Sequence, residues 1–168
     1  METRRILATL GAALIGTAMA GAAFAQAPAA ATPLPLAISA AEIAAVAAKA
    51  KATIKPGQPT FSQNLISAEP YTAHLEYRPL VGPAAIHAAQ AEFFYVIDGA
   101  GTVTTGGTLT EAGAPNGGGT TMGKAIAGGQ TRAVGKGDMF IVPEKTPHWF
   151  GTITSPLVLI SMYVPRGG

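Results

Sequence analysis

Two histidines and one glutamate are the residues of this chain whose types could do chemistry together. His87 precedes Glu92 by five positions, and His148 lies near the C-terminus. Imidazole and carboxylate groups form a borderline ligand set that suits Zn, Mn, Fe, Ni or Cu. If the fold brings the three side chains to one face, we expect a divalent metal ion to bind between His87, Glu92 and His148.

The residues around this pair predict two adjacent strands. From Glu92 to Ile97, aromatic and β-branched residues alternate with period two, as in a strand. His87 would end the preceding strand, with residues 88–91 as the connection. Asp98-Gly99 offers the positive-φ residues of a tight hairpin turn.

Three further side chains near these residues are candidate ligand contacts. Phe94 shares a strand face with Glu92 and is expected to form a wall of the site. Gln90 could bond a ligand or cap the connection, and the second role is favoured. Trp149 follows His148 directly, where an aromatic side chain would help to exclude water.

In order and spacing, these residues resemble the two motifs of the cupin superfamily of small β-barrels. The first motif has His-x-His, a Glu three or four residues later, and a Gly after six more. The second has Gly, five residues, Pro-x-Gly, two residues, His, three residues and Asn. The resemblance covers roughly residues 71–164 and implies an all-β, cupin-type double-stranded β-helix or jelly-roll barrel. The matching residues here are His87, Glu92 and Gly99 for the first motif, and Gly137, Pro143 and His148 for the second.

The chain departs from the family pattern at several positions. Ala85 stands where the first histidine belongs, Lys145 where the second motif has its second glycine, and Thr152 where it has asparagine. The glycine expected before the first histidine is also missing, since Gly82 is too close. Three protein ligands therefore remain of the family's four, which is enough for a metal with open positions.

The resemblance and the ligand set together predict an exported protein that binds a small molecule beside a divalent metal. Two alternatives stay open. One is a metal-dependent enzyme, an oxygenase, an isomerase or epimerase, or a lyase, acting on a small oxygen-rich metabolite. The other is a metal-free, non-catalytic ligand-binding barrel, in which the histidines only form hydrogen bonds. No catalytic residue is assigned. The candidate acids or bases are Glu92, Glu76 and Glu144, and Glu92 is not available if it binds metal.

Residues 71–78 predict a strand with one apolar and one polar face. The polar face carries His74, Glu76 and Arg78, and such a face usually meets water, which is the favoured interpretation. In a ligand-binding barrel the polar side can instead lie inside. His74 could then replace the ligand missing at Ala85, while Arg78 and Glu76 contact the substrate.

The first 25 residues have the pattern of a secretory signal peptide. Arg4-Arg5 precede an apolar stretch, and Ala23-Phe24-Ala25 forms a cleavage site, so we expect cleavage after Ala25. The mature protein would be periplasmic or secreted. We expect no stable membrane insertion after cleavage, because no other apolar stretch approaches the roughly 20 residues that cross a bilayer.

The remaining chain is predicted as one domain with a short N-terminal appendage. Residues 26–38 form a flexible Ala- and Pro-rich tether, and residues 39–70 a helix and an edge strand. Ser39 and Glu42 have capping-box spacing at the start of that helix. Residues 71–164 form the barrel, with a closing strand at 157–164. Within it, residues 111–129 are predicted to be a Gly-rich insertion loop without strands, either a lid or a surface loop.

Composition narrows the possible partners. The chain has no cysteine, so neither disulfides nor thiolate chemistry is available. Its formal charge of +2 includes Arg4 and Arg5, and no basic cluster marks a nucleic-acid surface. A small molecule is the expected partner. A homodimer formed through edge strands or N-terminal segments is compatible with the sequence, but no residue specifies it.

Overall fold

The computed structural model describes residues 36–165. The predicted signal peptide, its cleavage site and most of the tether lie outside these residues. Between residues 36 and 165, no helix is long and apolar enough to cross a membrane. The described chain forms one helix and ten strands: α1 (Ala40–Thr53), β1 (Phe61–Ala68), β2 (Tyr71–Arg78), β3 (Ala84–His87), β4 (Gln90–Thr105), β5 (Thr108–Thr110), β6 (Thr120–Gly123), β7 (Ala125–Ala127), β8 (Gln130–Gly135), β9 (Met139–Val142) and β10 (His148–Pro165).

Eight strands form one continuous sheet, and β5 and β7 form a separate pair. The long strands β4 and β10 run through both halves of the eight-stranded sheet, and these halves are here called the two sheets. The N-terminal half of β4 pairs with β9 and with the C-terminal half of β10, which β2 and the edge strand β1 extend. The C-terminal half of β4 pairs with β8 and with the start of β10, which β3 and β6 extend. All of these pairings are antiparallel. The predicted all-β jelly roll is therefore confirmed.

The predicted hairpin at Asp98-Gly99 is wrong, because β4 continues through both residues. Gly99 has a φ of +87° and bends the strand where it passes from one sheet to the other. A Cβ atom there would overlap the carbonyl oxygen of Pro156 on the neighbouring β10. Glycine at this position thus permits a close approach of two strands. A short-range sequence pattern cannot distinguish a glycine of this kind from a glycine in a turn.

Helix α1 begins as its sequence predicts. The Ser39 hydroxyl accepts a hydrogen bond from the Glu42 amide at 3.2 Å, and the Glu42 carboxylate accepts one from the Ser39 amide at 2.8 Å. The Ser39 hydroxyl also donates to the Glu42 carboxylate at 2.7 Å, and this bond, together with the one from the Ser39 amide, lowers the pKa of Glu42. The apolar side of the helix packs on Leu75, Tyr77 and Val158, on the outer face of β2 and β10. The helix thus covers one outer wall of the barrel.

The main hydrophobic core lies between the two sheets. Its fully buried members come from both long strands and from the shorter strands beside them, so the two sheets close on one another. Partly buried Phe140 and Ile153 complete the packing. The core cluster consists of Phe94, Val96, Val103, Val134, Val142, Phe150, Leu157 and Leu159.

The Gly-rich segment is not a strandless loop. Within residues 111–129, β6 pairs with β3 along Ala84–His87, and β7 pairs with β5. Small residues allow this, since a Cβ atom on Gly123 would come within 2.8 Å of the Thr110 carbonyl oxygen. The prediction failed because β6 and β7 contain few of the large apolar residues that usually mark strands.

Candidate metal centre

His87, Glu92 and His148 converge at the ends of three strands. His87 is the last residue of β3, Glu92 lies near the start of β4, and His148 is the first residue of β10. The connection between β3 and β4 is shorter than expected, since β4 already begins at Gln90. The three side chains, here called the His–Glu–His cluster, thus meet between the two sheets.

The His–Glu–His cluster is compact and buried. Nε2 of His87 lies 3.0 Å from Oε2 of Glu92, and Nε2 of His148 lies 3.2 Å from the same oxygen. One donor atom from each residue lies within 4.8 Å of the others. The relative exposure is 8% for His87, 2% for Glu92 and 5% for His148. Two nitrogens and one oxygen therefore face one another out of contact with bulk water.

The electrostatics of the His–Glu–His cluster favour an ionised carboxylate. Burial by itself raises the pKa of Glu92, but hydrogen bonds from His148 and His87, together with their coulombic attraction, outweigh it. The net effect holds the pKa of Glu92 well below its ordinary value. A negative charge is thus retained at the buried end of the barrel, where it would attract a cation.

Thr120 completes the surroundings of His87. Its hydroxyl lies 2.9 Å from Nδ1 of His87, on the side of the ring away from Glu92. Thr120 opens β6, directly opposite His87 in the pairing of β3 with β6. Sequence reasoning missed it, because it lies in the segment predicted to be a loop. This contact fixes the ring orientation, as partners of metal-binding histidines commonly do.

The two sequence motifs therefore meet in one place between two antiparallel sheets. The chain has a cupin-type fold. Similar solved structures include KdgF from Halomonas sp. (19% identity, covering 68% of this chain and 84% of that chain, TM-score 0.48). Another is the Schizosaccharomyces pombe Cnp3 cupin domain (15% identity, covering 69% of this chain and 72% of that chain, TM-score 0.47). A third is an RmlC-like cupin from Shewanella frigidimarina (15% identity, covering 67% of this chain and 81% of that chain, TM-score 0.44). No family model matches the sequence, and no curated protein is significantly similar to it.

One departure from the cupin motif is accommodated in the backbone. Lys145, at the position of the motif's second glycine, has a φ of +61° and so adopts the left-handed conformation that glycine favours. Its backbone amide donates to the carbonyl oxygen of His87 at 2.7 Å. The turn between β9 and β10 thus ties the second motif to the first even though the glycine is absent.

A second departure, at Ala85, removes a histidine of the motif, and no other side chain of the described residues takes its place. Ala85 pairs directly with His148 across β3 and β10, so the vacant motif position lies beside the His–Glu–His cluster. His74 does not join the cluster in its place. Nε2 of His74 lies 3.1 Å from the Thr72 hydroxyl, and its ring meets that of Tyr163 edge-on.

The polar face of β2 turns inward, so the favoured interpretation that it meets water is wrong. The substrate contacts predicted for Glu76 and Arg78 stay predictions. Glu76 is buried, and Oε2 of Glu76 accepts hydrogen bonds from Nε and Nη2 of Arg78, each at 2.7 Å. Its other oxygen accepts from the Ser161 hydroxyl at 3.1 Å. The guanidinium of Arg78 also lies 4.8 Å from the centre of the Phe150 ring. The polar face points inward because helix α1 covers the apolar face on the outside.

Aromatic side chains line the interior beside the His–Glu–His cluster. Phe94 is fully buried, and its ring lies 5.9 Å from that of His148, which places it where the sequence predicted a wall. Phe140 stacks on Phe94, and Phe150 meets Phe94 edge-on. These three rings thus form a packed aromatic group beside His148.

Trp149 and Gln90 lie at the edge of this region. The indole Nε1 of Trp149 donates to the carbonyl oxygen of Gly82 at 2.9 Å, so the ring holds the segment between β2 and β3. Phe150, the next residue, is the one that packs inside. Gln90 is the first residue of β4 and is paired with Pro165. Its role in ligand contact stays a prediction.

Tyr163 is a second neighbour of the His–Glu–His cluster that sequence reasoning missed. Its ring meets that of His87 edge-on, with centroids 5.1 Å apart. Burial raises the pKa of its phenol, the charges of Glu92 and Glu76 raise it further, and Arg78 lowers it. The available signal was a hydroxyl-bearing ring in the mainly apolar stretch 157–164, a pattern that predicts only a closing strand.

Proposed function

We propose that this protein binds a divalent metal ion through His87, Glu92 and His148, and a small molecule beside it. The observation that carries the proposal is the spacing of the donor atoms. With metal–ligand bonds of ~2.1 Å, two donors at a right angle stand about 3.0 Å apart. Separations of 3.0 and 3.2 Å from Oε2 of Glu92 therefore fit adjacent corners of one coordination sphere.

The donor set agrees with this proposal. Two imidazole nitrogens and one carboxylate oxygen suit Fe, Mn, Zn, Ni or Cu. Three protein ligands leave positions for water or for an oxygen ligand such as a hydroxy-keto, enediol or catechol-like group. A bound ion would there polarise a carbonyl or lower the pKa of water.

One observation favours the metal-free alternative. Nδ1 of His148 is buried and has no hydrogen-bond partner among the described residues. A histidine that binds a metal through Nε2 usually donates its other ring N–H to an acceptor. Without metal, the two imidazoles can instead donate Nε2–H to Oε2 of Glu92, and the unprotonated Nδ1 of His148 needs no acceptor. The barrel would then hold its ligand by hydrogen bonds alone.

Metal analysis of the purified protein separates the two functions, and the chain supplies a matched control. It contains three histidines, and His74 also faces inward but lies outside the His–Glu–His cluster. We expect one equivalent of metal in the wild type and in His74→Ala, and none in His148→Ala. Chelation should lower the melting temperature of the first two proteins only, because bound metal stabilises the folded state. If the wild type is metal-free and its melting temperature is unchanged in chelator, the metal-binding proposal is contradicted and the metal-free, hydrogen-bonding barrel is supported.

We further propose that the protein is exported. The proposal rests on Arg4-Arg5, the apolar stretch after them, and Ala23-Phe24-Ala25. Expression in a Gram-negative bacterium should give periplasmic protein whose N-terminal residue, determined by mass spectrometry, is Gln26. Cytoplasmic protein that keeps residues 1–25 would contradict export without affecting the proposed metal site.

A further inference from the structure

Tyr163 stands against two of the three members of the His–Glu–His cluster. In the antiparallel pairing of β10 with β4 it lies directly opposite Glu92. Opposed residues have Cβ atoms about 4.5–5.5 Å apart, so the two side chains start from neighbouring positions, and the charge of Glu92 acts on the Tyr163 phenol. The Tyr163 ring also meets the His87 ring at 69°, with centroids 5.1 Å apart.

The two imidazoles leave one oxygen of Glu92 for this phenol. Nε2 of His87 and Nε2 of His148 both approach Oε2, at 3.0 and 3.2 Å. Oε1 is therefore the carboxylate oxygen available to another donor. A tyrosine hydroxyl carries its proton at neutral pH and can donate it to a carboxylate.

We propose that Tyr163 is a positioning residue, whose hydroxyl donates a hydrogen bond to Oε1 of Glu92 and holds Oε2 toward the two imidazoles. This inference rests on the proposed metal-binding function. With Oε1 engaged by the phenol, Glu92 acts as a one-oxygen ligand. A coordination position that its second oxygen could occupy then stays open for the small molecule.

Tyr163→Phe separates this role from simple packing. The variant keeps the ring against His87 and His74 and removes only the hydroxyl. Tyr77→Phe is the matched control, because Tyr77 packs beneath helix α1 on the outer wall, away from the His–Glu–His cluster. If Tyr163 serves only to fill space, both variants should bind metal as the wild type does.

The experiment is a titration of chelator-treated, purified protein with Co²⁺, followed by visible absorption. We expect Tyr163→Phe to bind Co²⁺ about tenfold or more weakly than the wild type, the usual cost of losing a partner of a metal ligand. Its absorption spectrum should also change, because a second carboxylate oxygen can enter the coordination sphere. Tyr77→Phe should match the wild type in both measurements, and the metal-free melting temperatures should be similar for all three.

The outcomes distinguish this inference from the proposed function. If the wild type binds no Co²⁺, the metal-binding function fails and the role of Tyr163 fails with it. If the wild type binds Co²⁺ and Tyr163→Phe has the same Kd and spectrum, only the positioning role is overturned. A weaker Kd together with a lower metal-free melting temperature, shared by Tyr77→Phe, would also overturn it in favour of packing.

Discussion

The backbone amide of Lys145 donates a 2.7 Å hydrogen bond to the carbonyl oxygen of His87. This bond joins the turn before β10 to the end of β3, and so connects the strand that begins with His148 to the strand that ends with His87. Lys145 makes this hydrogen bond in a backbone conformation with a φ of +61°. The relative placement of the two histidines thus depends on a non-glycine residue in the left-handed region.

Lys145→Gly should therefore be tolerated, whereas Lys145→Val should not. A left-handed conformation costs an L-residue about 1–2 kcal/mol, which glycine avoids at a smaller entropic cost, so we expect Lys145→Gly to be neutral or stabilising by up to about 1 kcal/mol. A β-branched valine is strained further and should be destabilising by about 1 kcal/mol or more. Urea denaturation would measure both values. Lys136→Val, at an exposed turn residue, is the control and should change stability little.

Thr120→Val should weaken metal binding, while Thr120→Ser should preserve it. The hydroxyl of Thr120 lies 2.9 Å from Nδ1 of His87, and valine replaces it with a methyl group of similar size. Loss of such a partner typically costs ten- to a hundredfold in metal affinity. Isothermal titration with Zn²⁺ would give the ratio of Kd values. Thr121→Val, one residue along β6, serves as the control, and equal affinities for all variants would contradict the orienting role.

Gly99→Ala should be much more damaging than Gly106→Ala. Both glycines have positive φ, at +87° and +76°, so both variants carry a backbone cost of about 1–2 kcal/mol. Only Gly99 also faces a steric clash, with the carbonyl oxygen of Pro156, whereas nothing lies within 4 Å of a Cβ atom at Gly106. Thermal denaturation should show a moderate loss for Gly106→Ala and severe destabilisation or failure to fold for Gly99→Ala. Similar losses would contradict the close approach of β4 and β10.

The metal-free protein should lose the stabilisation due to Glu92 in acid. Hydrogen bonds hold the pKa of Glu92 below its unfolded value of about 4.3, so the ionised carboxylate stabilises the fold above that value. This contribution is lost as pH falls through the lower, folded pKa. In chelator, we expect the wild type to exceed Glu92→Gln in unfolding free energy at about pH 5. The difference should shrink below about pH 4, and one that is the same at every pH would contradict the assigned shift.

Features carried by neighbouring residues were predicted well from the sequence. The capping box of Ser39 and Glu42, and the strand positions of His87 and Glu92, depend on spacings of a few residues, which the chain itself imposes. The point at which His148 meets them was predicted from the cupin motif. Local patterns alone do not relate residues so far apart along the chain.

Features that depend on tertiary packing were predicted poorly. The alternation along β2 showed that His74, Glu76 and Arg78 share a face, but not that α1 would cover the opposite face and turn this one inward. Thr120 could not be found, because its strand contains few large apolar residues and is specified by its pairing with β3. From the sequence, Gly99 fits a hairpin turn as well as a strand interior. The neighbouring β10 excludes the turn, because its backbone lies against Gly99.

The sequence by itself determined the types of the candidate ligands, the all-β class and the period of each main strand. These depend on side-chain chemistry and on the two-residue repeat of an extended backbone. Only the tertiary structure decided which residues surround the His–Glu–His cluster. Thr120 and Tyr163 reach it from strands far along the chain, and the inside of the barrel became polar along β2 because the helix buries the apolar side. Such contacts follow from the packing of whole elements, which short-range patterns do not specify.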